Sequence, residues 1–141
     1  MSKVLYITAN PKKVEDSYSL TIGEEFITEY KKNNLEDEVT VIDLFHLDIP
    51  NVDREIAEVV DRVISPDELD EKHKQIMQKM SDTVDEFIKY DKYVFVTPLW
   101  NLGVPPVVKT YFDNVCAVGK TFKYTETGAA RIIRRKESIA Y

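Results

Sequence analysis

The sequence predicts an α/β fold built on a doubly wound parallel sheet. Three runs rich in β-branched and aromatic residues, at 3–8, 39–44 and 93–97, alternate with longer stretches of helical periodicity. Strands that alternate with helices are typical of parallel sheets with right-handed crossover connections. The 141 residues are enough for one domain with a hydrophobic core, so we expect a single domain over residues 1–141.

The composition narrows the class of protein. The net charge of −6 argues against a nucleic-acid-binding surface. A single cysteine excludes an internal disulfide and a cysteine-based metal cluster. No apolar run approaches the ~18 residues of a membrane span, and the first residues lack the layout of a signal peptide. We therefore expect a cytoplasmic protein that binds neither nucleic acid nor membranes.

The first third of the chain predicts strand, helix and strand. The strand at 3–8 has the continuous apolar character of a strand buried on both faces. After a loop at 9–16, Ser17 opens a helix that ends at Asn33 and Asn34. Gly23 lies inside this helix at a cost of roughly 1 kcal/mol relative to alanine, so we expect close approach of the helix to the sheet there. The second strand follows at 39–44.

The middle of the chain predicts two helices and the third strand. Asp53 is expected to cap a short helix that extends to Ile64. The sequence at 65–68, Ser-Pro-Asp-Glu, is that of a capping box and predicts the start of a long helix that extends to Ile88. The strand at 93–97 is expected to be buried on both faces.

The remainder predicts a helix, a hairpin and part of a fourth strand. Pro105 and Pro106 suit the first turn of a helix. The apolar face of that helix comprises Val108, Tyr111, Phe112, Val115 and Cys116. Residues 120–128 alternate in polarity and predict an exposed loop or hairpin ending at Gly128, and residues 137–141 begin a fourth strand. In a flavodoxin-like sheet, ordered 2-1-3-4-5, a fifth strand and a helix would follow, and we expect this chain to lack both.

The loops after the first and third strands form the candidate binding site. In the order 2-1-3-4-5 these two strands are neighbours, and open α/β sheets bind ligands at the carboxyl ends of such strands. The loop from Pro98 to Gly103 contains a large aromatic residue, Trp100, beside an amide, and it has neither lysine nor acid. That composition suits a planar heteroaromatic ligand. The alternative is that Trp100 fills a core or an interface.

The start of the first helix is a candidate phosphate site. Free backbone N–H groups and the hydroxyls of Ser17 and Ser19, on either side of Tyr18, suit an anion. The alternative is plain N-capping by a serine. The chain has neither GxGxxG nor GxxxxGK[ST], so the Rossmann fingerprint and the P-loop are both missing.

The sequence contains no clear signal for a metal site or for nucleophilic catalysis. His46 and His73 are isolated, and His73 is expected to be a hydrogen-bonded histidine at the core boundary. No His/Asp/Glu cluster has the spacing of a metal site. Cys116 is expected to be a small buried apolar side chain. No GxSxG elbow supports a Ser-His-Asp triad, and we assign no catalytic acid or base.

Several motifs together resemble one family. They are MSKVLYITANP at the start, SYS at 17–19, PLWN at 98–101, KTYFDNV at 109–115 and GKTFKYTETG at 119–128. Over essentially its whole length the chain resembles the FMN-dependent NADH-azoreductases, which are flavodoxin-like quinone reductases formerly labelled acyl carrier protein phosphodiesterases.

The resemblance implies a cofactor, a reaction and a set of site residues. FMN would bind with its phosphate at Ser17, Tyr18 and Ser19, near Asn10. Its isoalloxazine would lie against Leu99, Trp100, Asn101 and Leu102, and Pro98 would also bind the cofactor. NADH would reduce FMN by hydride transfer, and a quinone or azo compound would then accept the electrons, with Tyr124 near that substrate pocket. The family also implies a homodimer with the active site at its interface.

The chain departs from the family pattern in two places. The loop NPKKVED at 10–16 has no serine where many relatives have one. Family members are also longer, and a Gly-rich loop that holds the other side of the flavin would follow the fourth strand. The alternative function is therefore a truncated, non-catalytic remnant that binds no flavin. A third hypothesis, a hydrolase of a phosphopantetheine ester, needs a nucleophile or metal site that the residues do not provide.

Overall fold

The computed structural model describes residues 1–133, which form two compact units. The first unit contains Met1–Asp48 and Lys89–Lys109, and the second contains Ile49–Ile88 and Thr110–Ile133. The strands are β1 (Lys3–Thr8), β2 (Glu38–Asp43), β3 (Lys92–Val96), β4 (Phe122–Thr125) and β5 (Gly128–Arg131). The α-helices are α1 (Tyr18–Asn33), α2 (Arg54–Val60), α3 (Glu71–Phe87) and α4 (Pro106–Val115). Single 3₁₀ turns lie at Val14–Asp16, Leu44–His46 and Pro66–Glu68.

The first unit is organised around a parallel sheet in the order β2-β1-β3. Val4 of β1 pairs with Val39 of β2 on one side and with Lys92 of β3 on the other. The ladder continues past β1, since Ala9 N donates to Val96 O at 2.9 Å. The prediction that the first and third strands are neighbours is confirmed. Both β2 and β3 begin one residue earlier than predicted.

The two predicted central strands differ in burial. β1 is buried on both faces, with Val4, Leu5, Tyr6 and Ile7 all at most 2% exposed. In β3 only Val96 is buried, and the residues before it are half-exposed, so the prediction for this strand is wrong. Within residues 1–133, β3 has a strand partner on one side alone, which leaves its backbone and side chains less covered than those of β1.

α1 packs against the sheet as its glycine predicts. Ser17 is the N-cap, and its side chain accepts a hydrogen bond from Leu20 N. A Cβ atom at Gly23 would clash with the Tyr6 hydroxyl and would lie 2.8 Å from Val96 Cγ1. The predicted close approach is therefore confirmed. The core between helix and sheet comprises Tyr6, Leu20, Ile27 and Val96.

Two helix boundaries predicted for the second unit are wrong. Asp53 caps α2 as predicted, but α2 ends at Val60 rather than Ile64. The capping box at Ser65 is present, yet it closes a single 3₁₀ turn. α3 begins only at Glu71, where Asp70 is the N-cap. The box is therefore a local structure that ends before the long helix starts.

The last described residues form an antiparallel hairpin of β4 and β5. The predicted hairpin is confirmed, although it continues beyond Gly128, which starts β5. Cys116 is exposed, so its predicted burial is wrong; it follows the last residue of α4 and leaves the buried face of that helix. The predicted fourth strand at 137–141 lies outside the described residues. Among residues 1–133, no helix combines the length and apolar character needed to cross a membrane.

Candidate functional site

A cleft of about 610 Å³ opens in the first unit beside the carboxyl ends of β1 and β3. One side is formed by the segment between β1 and α1 and by the first turns of α1: Asn10, Lys12, Asp16, Ser17, Tyr18, Ser19 and Ile22. The other side is formed by the segment after β3: Thr97, Pro98, Leu99 and Trp100. The volume falls within the range of ~300–1,000 Å³ that is typical of cofactor pockets. The structure therefore brings together the two loops that the sequence analysis selected.

Asn10 organises the polar end of the cleft. Its Nδ2 donates to Ser17 Oγ at 2.7 Å and to Ser19 Oγ at 3.3 Å. Its Oδ1 accepts from Lys12 N at 3.1 Å, which fixes the orientation of the amide. Asn10 and Ser17 are 5% and 8% exposed. Both side chains are thus held in place by buried hydrogen bonds.

These contacts prepare the serine hydroxyls to donate. Ser17 Oγ accepts from both Asn10 Nδ2 and Leu20 N, so its own proton is directed elsewhere. Ser19 Oγ lies 3.2 Å from Ser17 Oγ, and Ser17 donates this hydrogen bond because both of its lone pairs are already occupied. Because only one of the two protons can satisfy that contact, the second is available to a ligand. A group with acceptor oxygens, such as a phosphate, complements this arrangement.

The helix terminus adds further donors. The first intrahelical hydrogen bond of α1 runs from Thr21 N to Ser17 O at 2.9 Å. The N–H groups of Tyr18 and Ser19 precede it and have no carbonyl one turn earlier in the helix. The positive end of the helix dipole favours an anion at this position. Lys12 and Asp16 also line the cleft, and they contribute one positive and one negative charge.

The other end of the cleft is apolar and aromatic. Trp100 is 38% exposed, and its ring lies 6.1 Å from that of Phe45 at an angle of 55°. Leu99 is 73% exposed beside it. Phe45 follows β2, so the segments after β2 and β3 both contribute to this wall. An exposed indole that contacts a second aromatic ring offers a flat surface for a ring system.

A strained turn follows Trp100. Trp100 N donates to Gly103 O at 2.7 Å, and Gly103 N donates to Trp100 O at 2.9 Å. Between them, Asn101 has φ of 48° and Leu102 has φ of 65°. These left-handed values are those of a type I′ turn, in which asparagine is favoured and leucine costs about 1–2 kcal/mol. Leu102 is 94% exposed, so packing does not explain its conformation.

The predicted site residues thus separate into three groups. Asn10, the three residues at 17–19 and those at 98–100 line one cleft. Asn101 and Leu102 form the turn beyond the cleft wall. Tyr124 lies on β4 in the second unit, 72% exposed, with its ring edge-on to Phe122. Its role at a substrate pocket stays a prediction.

Five residues of the cleft region were not predicted from the sequence: Lys12, Asp16, Ile22, Phe45 and Thr97. A signal existed for Phe45 and Thr97. Phe45 directly follows the predicted strand at 39–44, and Thr97 is the last residue of the predicted strand at 93–97. Both therefore lie at the carboxyl ends of parallel strands, where such sheets bind ligands. The other three needed the path of the loop between β1 and α1, which no local pattern specified.

Comparison with known proteins agrees with this geometry. A family model described as flavodoxin-like fold matches residues 2–139. An FMN-dependent NADH:quinone oxidoreductase 3 of Bacillus cereus is 42% identical, over 99% of this chain and 67% of its own length. The FMN-dependent NADH:quinone oxidoreductase 2 of Bacillus subtilis (strain 168) is 44% identical over the same shares.

Solved structures give the same result. The azoreductase from Bacillus anthracis str. Sterne superimposes with a TM-score of 0.86 at 33% identity, over 98% of this chain and 66% of that one. The FMN-dependent NADH-azoreductase from Bacillus anthracis str. Ames Ancestor, solved in complex with FMN, gives 0.82 at 30% identity, over 94% and 64%. The chain thus spans about two thirds of the length of these relatives. It belongs to the flavodoxin-like family that contains the FMN-dependent NADH:quinone oxidoreductases and azoreductases.

Proposed function

We propose that this chain binds FMN and acts as an FMN-dependent oxidoreductase, passing a hydride from NADH by way of FMN to quinones and azo compounds. One observation carries the proposal: a single cleft joins an anion-binding end to an exposed aromatic wall. The family relationship suggests FMN as the ligand, since the relatives are called FMN-dependent NADH:quinone oxidoreductases.

The residues present fit the two ends of FMN. Ser17, Ser19 and the first N–H groups of α1 match the acceptor oxygens of a phosphate. Trp100 and Leu99 match an isoalloxazine, which is planar and largely apolar. Asn101 follows the wall, where its amide suits the polar edge of the ring. Its left-handed backbone is one that asparagine tolerates well.

The bound flavin supplies the redox chemistry, which is hydride acceptance and subsequent reduction of the second substrate. The protein's own residues bind and orient. Asn10 holds Ser17 and Ser19 so that one of their two protons is available to a phosphate, the positive end of α1 would favour that anion, and Phe45 contacts Trp100. No side chain of this cleft needs to gain or lose a proton for these tasks, so we assign no catalytic acid or base.

We also propose that the chain is a single flavin-binding domain and forms a homodimer in the cytoplasm, the compartment that supplies NADH. Large apolar side chains next to the cleft support a partner surface: Tyr18 and Leu102 are both 94% exposed. Such a surface would cover the open side of the site. We also assign Tyr124, whose side chain is 72% exposed, to the substrate pocket. Light scattering after size exclusion tests the dimer, and a monomer at micromolar concentration contradicts it.

Parallel titrations with FMN and riboflavin test the cofactor. The purified chain is titrated with each flavin while flavin fluorescence and visible absorption are recorded. We expect saturable binding of both, with FMN bound more tightly by about tenfold or more because of the phosphate contacts. Absence of FMN binding by the folded chain would refute the proposal and favour the non-catalytic remnant. Consumption of NADH with menadione or an azo dye as acceptor then tests the reaction.

A further inference from the structure

Two carboxylates and an imidazole converge in the second unit, where α2 and α3 begin. Asp53 caps α2, Glu55 lies in its first turn, and His73 lies in the first turn of α3. His73 Nε2 lies 3.2 Å from Asp53 Oδ2 and 3.9 Å from Glu55 Oε2. The three candidate ligand atoms all lie within 4.8 Å of one another. The cluster shares no residue with the cleft.

A fourth side chain orients the imidazole. His73 Nδ1 lies 2.7 Å from Asp70 Oδ1. A carboxylate can only accept, so Nδ1–H donates to Asp70 and, without a metal, Nε2–H donates to Asp53 Oδ2. A metal ion would replace that Nε2 proton between His73, Asp53 and Glu55. Metal-bound histidines usually donate their other N–H to a carboxylate in this manner. The His73 side chain is 13% exposed, so its ring is held in place.

The capping role of Asp53 leaves one oxygen for a ligand. Its Oδ1 accepts from Ile56 N at 3.1 Å, whereas Oδ2 faces His73. Arg54, between the two carboxylates in sequence, turns its guanidinium to Glu58 at 3.0 Å. It therefore does not occupy the space between Asp53 and Glu55. Lys72 is a nearby cation, and it lies on the other helix.

We propose that Asp53, Glu55 and His73 form a divalent transition-metal site that joins the start of α2 to the start of α3. One histidine and two carboxylates are a donor set that Zn²⁺ accepts, with water as the fourth ligand. Ligand atoms around tetrahedral Zn²⁺ lie about 3.4 Å apart. The present spacing therefore needs a small contraction, which Glu55 can supply because its side chain is 53% exposed.

Calorimetric titration of the full chain with Zn²⁺ and with Mn²⁺ tests the site. The hydrogen bond to Asp70 raises the pKa of His73, so titrations run at about pH 8, where a proton competes less for Nε2. The parent and all variants carry Cys116→Ser, because an exposed thiol is a potential zinc ligand outside the proposed site. We expect one site of micromolar affinity for at least one of the two ions.

The variants separate the site from general charge effects. His73→Gln and Glu55→Gln are each expected to weaken binding by about tenfold or more. Two controls are expected to leave it unchanged. His46→Gln removes the only other histidine, which pairs with Asp43 alone, and Glu71→Gln removes an acid that pairs with Lys74.

Melting curves supply a second readout. The metal is expected to raise the melting temperature of the parent and of both controls, and to raise that of Glu55→Gln by less at the same metal concentration. Glu55 is exposed and caps nothing, so this variant is informative even if His73→Gln fails to fold. Absence of saturable binding to the parent overturns the proposal. So does equal affinity of the parent and Glu55→Gln.

Discussion

The hydroxyl of Tyr6 in β1 lies against Gly23 of α1, in the space that an alanine methyl group would need. Val96 closes the same space from β3, with Cγ1 2.8 Å and Cγ2 2.9 Å from the position of such a methyl. Burial raises the pKa of Tyr6 to about 12, as expected for a phenol enclosed between a helix and a sheet. The glycine therefore sets the distance between α1 and the sheet.

Gly23→Ala is expected to destabilise the fold by about 1–3 kcal/mol. Alanine raises helix propensity by roughly 1 kcal/mol, but its methyl group must displace the tyrosine or the valine. Urea denaturation followed by circular dichroism measures the free energy of unfolding. Glu25→Ala, an exposed site on the same helix, is the control and should be neutral or slightly stabilising. Stabilisation by Gly23→Ala would contradict the close approach.

Acid is expected to weaken the first unit through Asp37. Its carboxylate accepts from the Tyr30 hydroxyl and from Ser2 N, both at 2.6 Å, and from Lys92 Nζ at 3.0 Å. The hydrogen bond from Tyr30, aided by the other two, lowers the pKa of Asp37 to about 2.

Because this pKa is lower in the folded than in the unfolded chain, the stabilisation is present above about pH 4 and is lost as pH falls towards 2. Free energies of unfolding are measured across that range. Asp37→Asn should be less stable than the parent at neutral pH and should lose less stability on acidification. Glu36→Gln, an exposed neighbour, is the control. Parallel acid curves for the parent and Asp37→Asn would refute this.

Asn10→Ala is expected to reduce discrimination between FMN and riboflavin. Without the amide, Ser17 and Ser19 lose the contact that leaves one of their two protons available to the ligand. We expect FMN affinity to fall about tenfold, while riboflavin affinity changes little. Fluorescence titration measures both. An equal loss for the two flavins would indicate that Asn10 supports the fold of the cleft rather than the phosphate.

Trp100→Ala is expected to weaken both flavins alike. The substitution removes the exposed ring surface at the wall, and we expect affinity to fall by about tenfold or more. Trp100→Phe keeps a smaller ring against Phe45 and should restore part of the affinity. If FMN binds to Trp100→Ala as it does to the parent, Trp100 does not contact the cofactor.

Leu102→Gly tests the strained turn. Glycine adopts the left-handed conformation freely, but it also increases the entropy of the unfolded chain, so we expect stability to change by less than about 1 kcal/mol. If Leu102 provides apolar cover for the isoalloxazine, affinity for both flavins should fall by several-fold. Unchanged affinity for both flavins would show that Leu102 forms the turn but does not contact the flavin. Denaturation and titration of the same preparation separate the two effects.

Local patterns in the sequence were enough to predict most elements of the fold. β1, α1 and β2 follow from apolar runs and from the cap at Ser17, and the switch-point rule placed the two loops together. The start of α3 was missed because a capping box specifies one turn, and the turn at Ser65 does not continue into the helix.

The detailed site geometry could not be predicted for a different reason. The contact of Asn10 with Ser17 and Ser19 depends on the path of the intervening loop, which tertiary packing decides. Leucine disfavours a left-handed backbone, so nothing at Leu102 signals a type I′ turn. His73 looks isolated in the sequence because its partner Asp53 is 20 residues away on another helix.

The central position of β1 has a consequence for folding during synthesis. β1 is made first of the three strands, yet its partners follow much later: Val4 pairs with Val39 and then with Lys92. Contacts this distant in sequence slow folding, because long loops must close before the strands can pair. Until β3 leaves the ribosome, the most apolar strand of the sheet has an open edge. An unpaired apolar strand can pair with a strand of another chain, so this stage of synthesis favours aggregation.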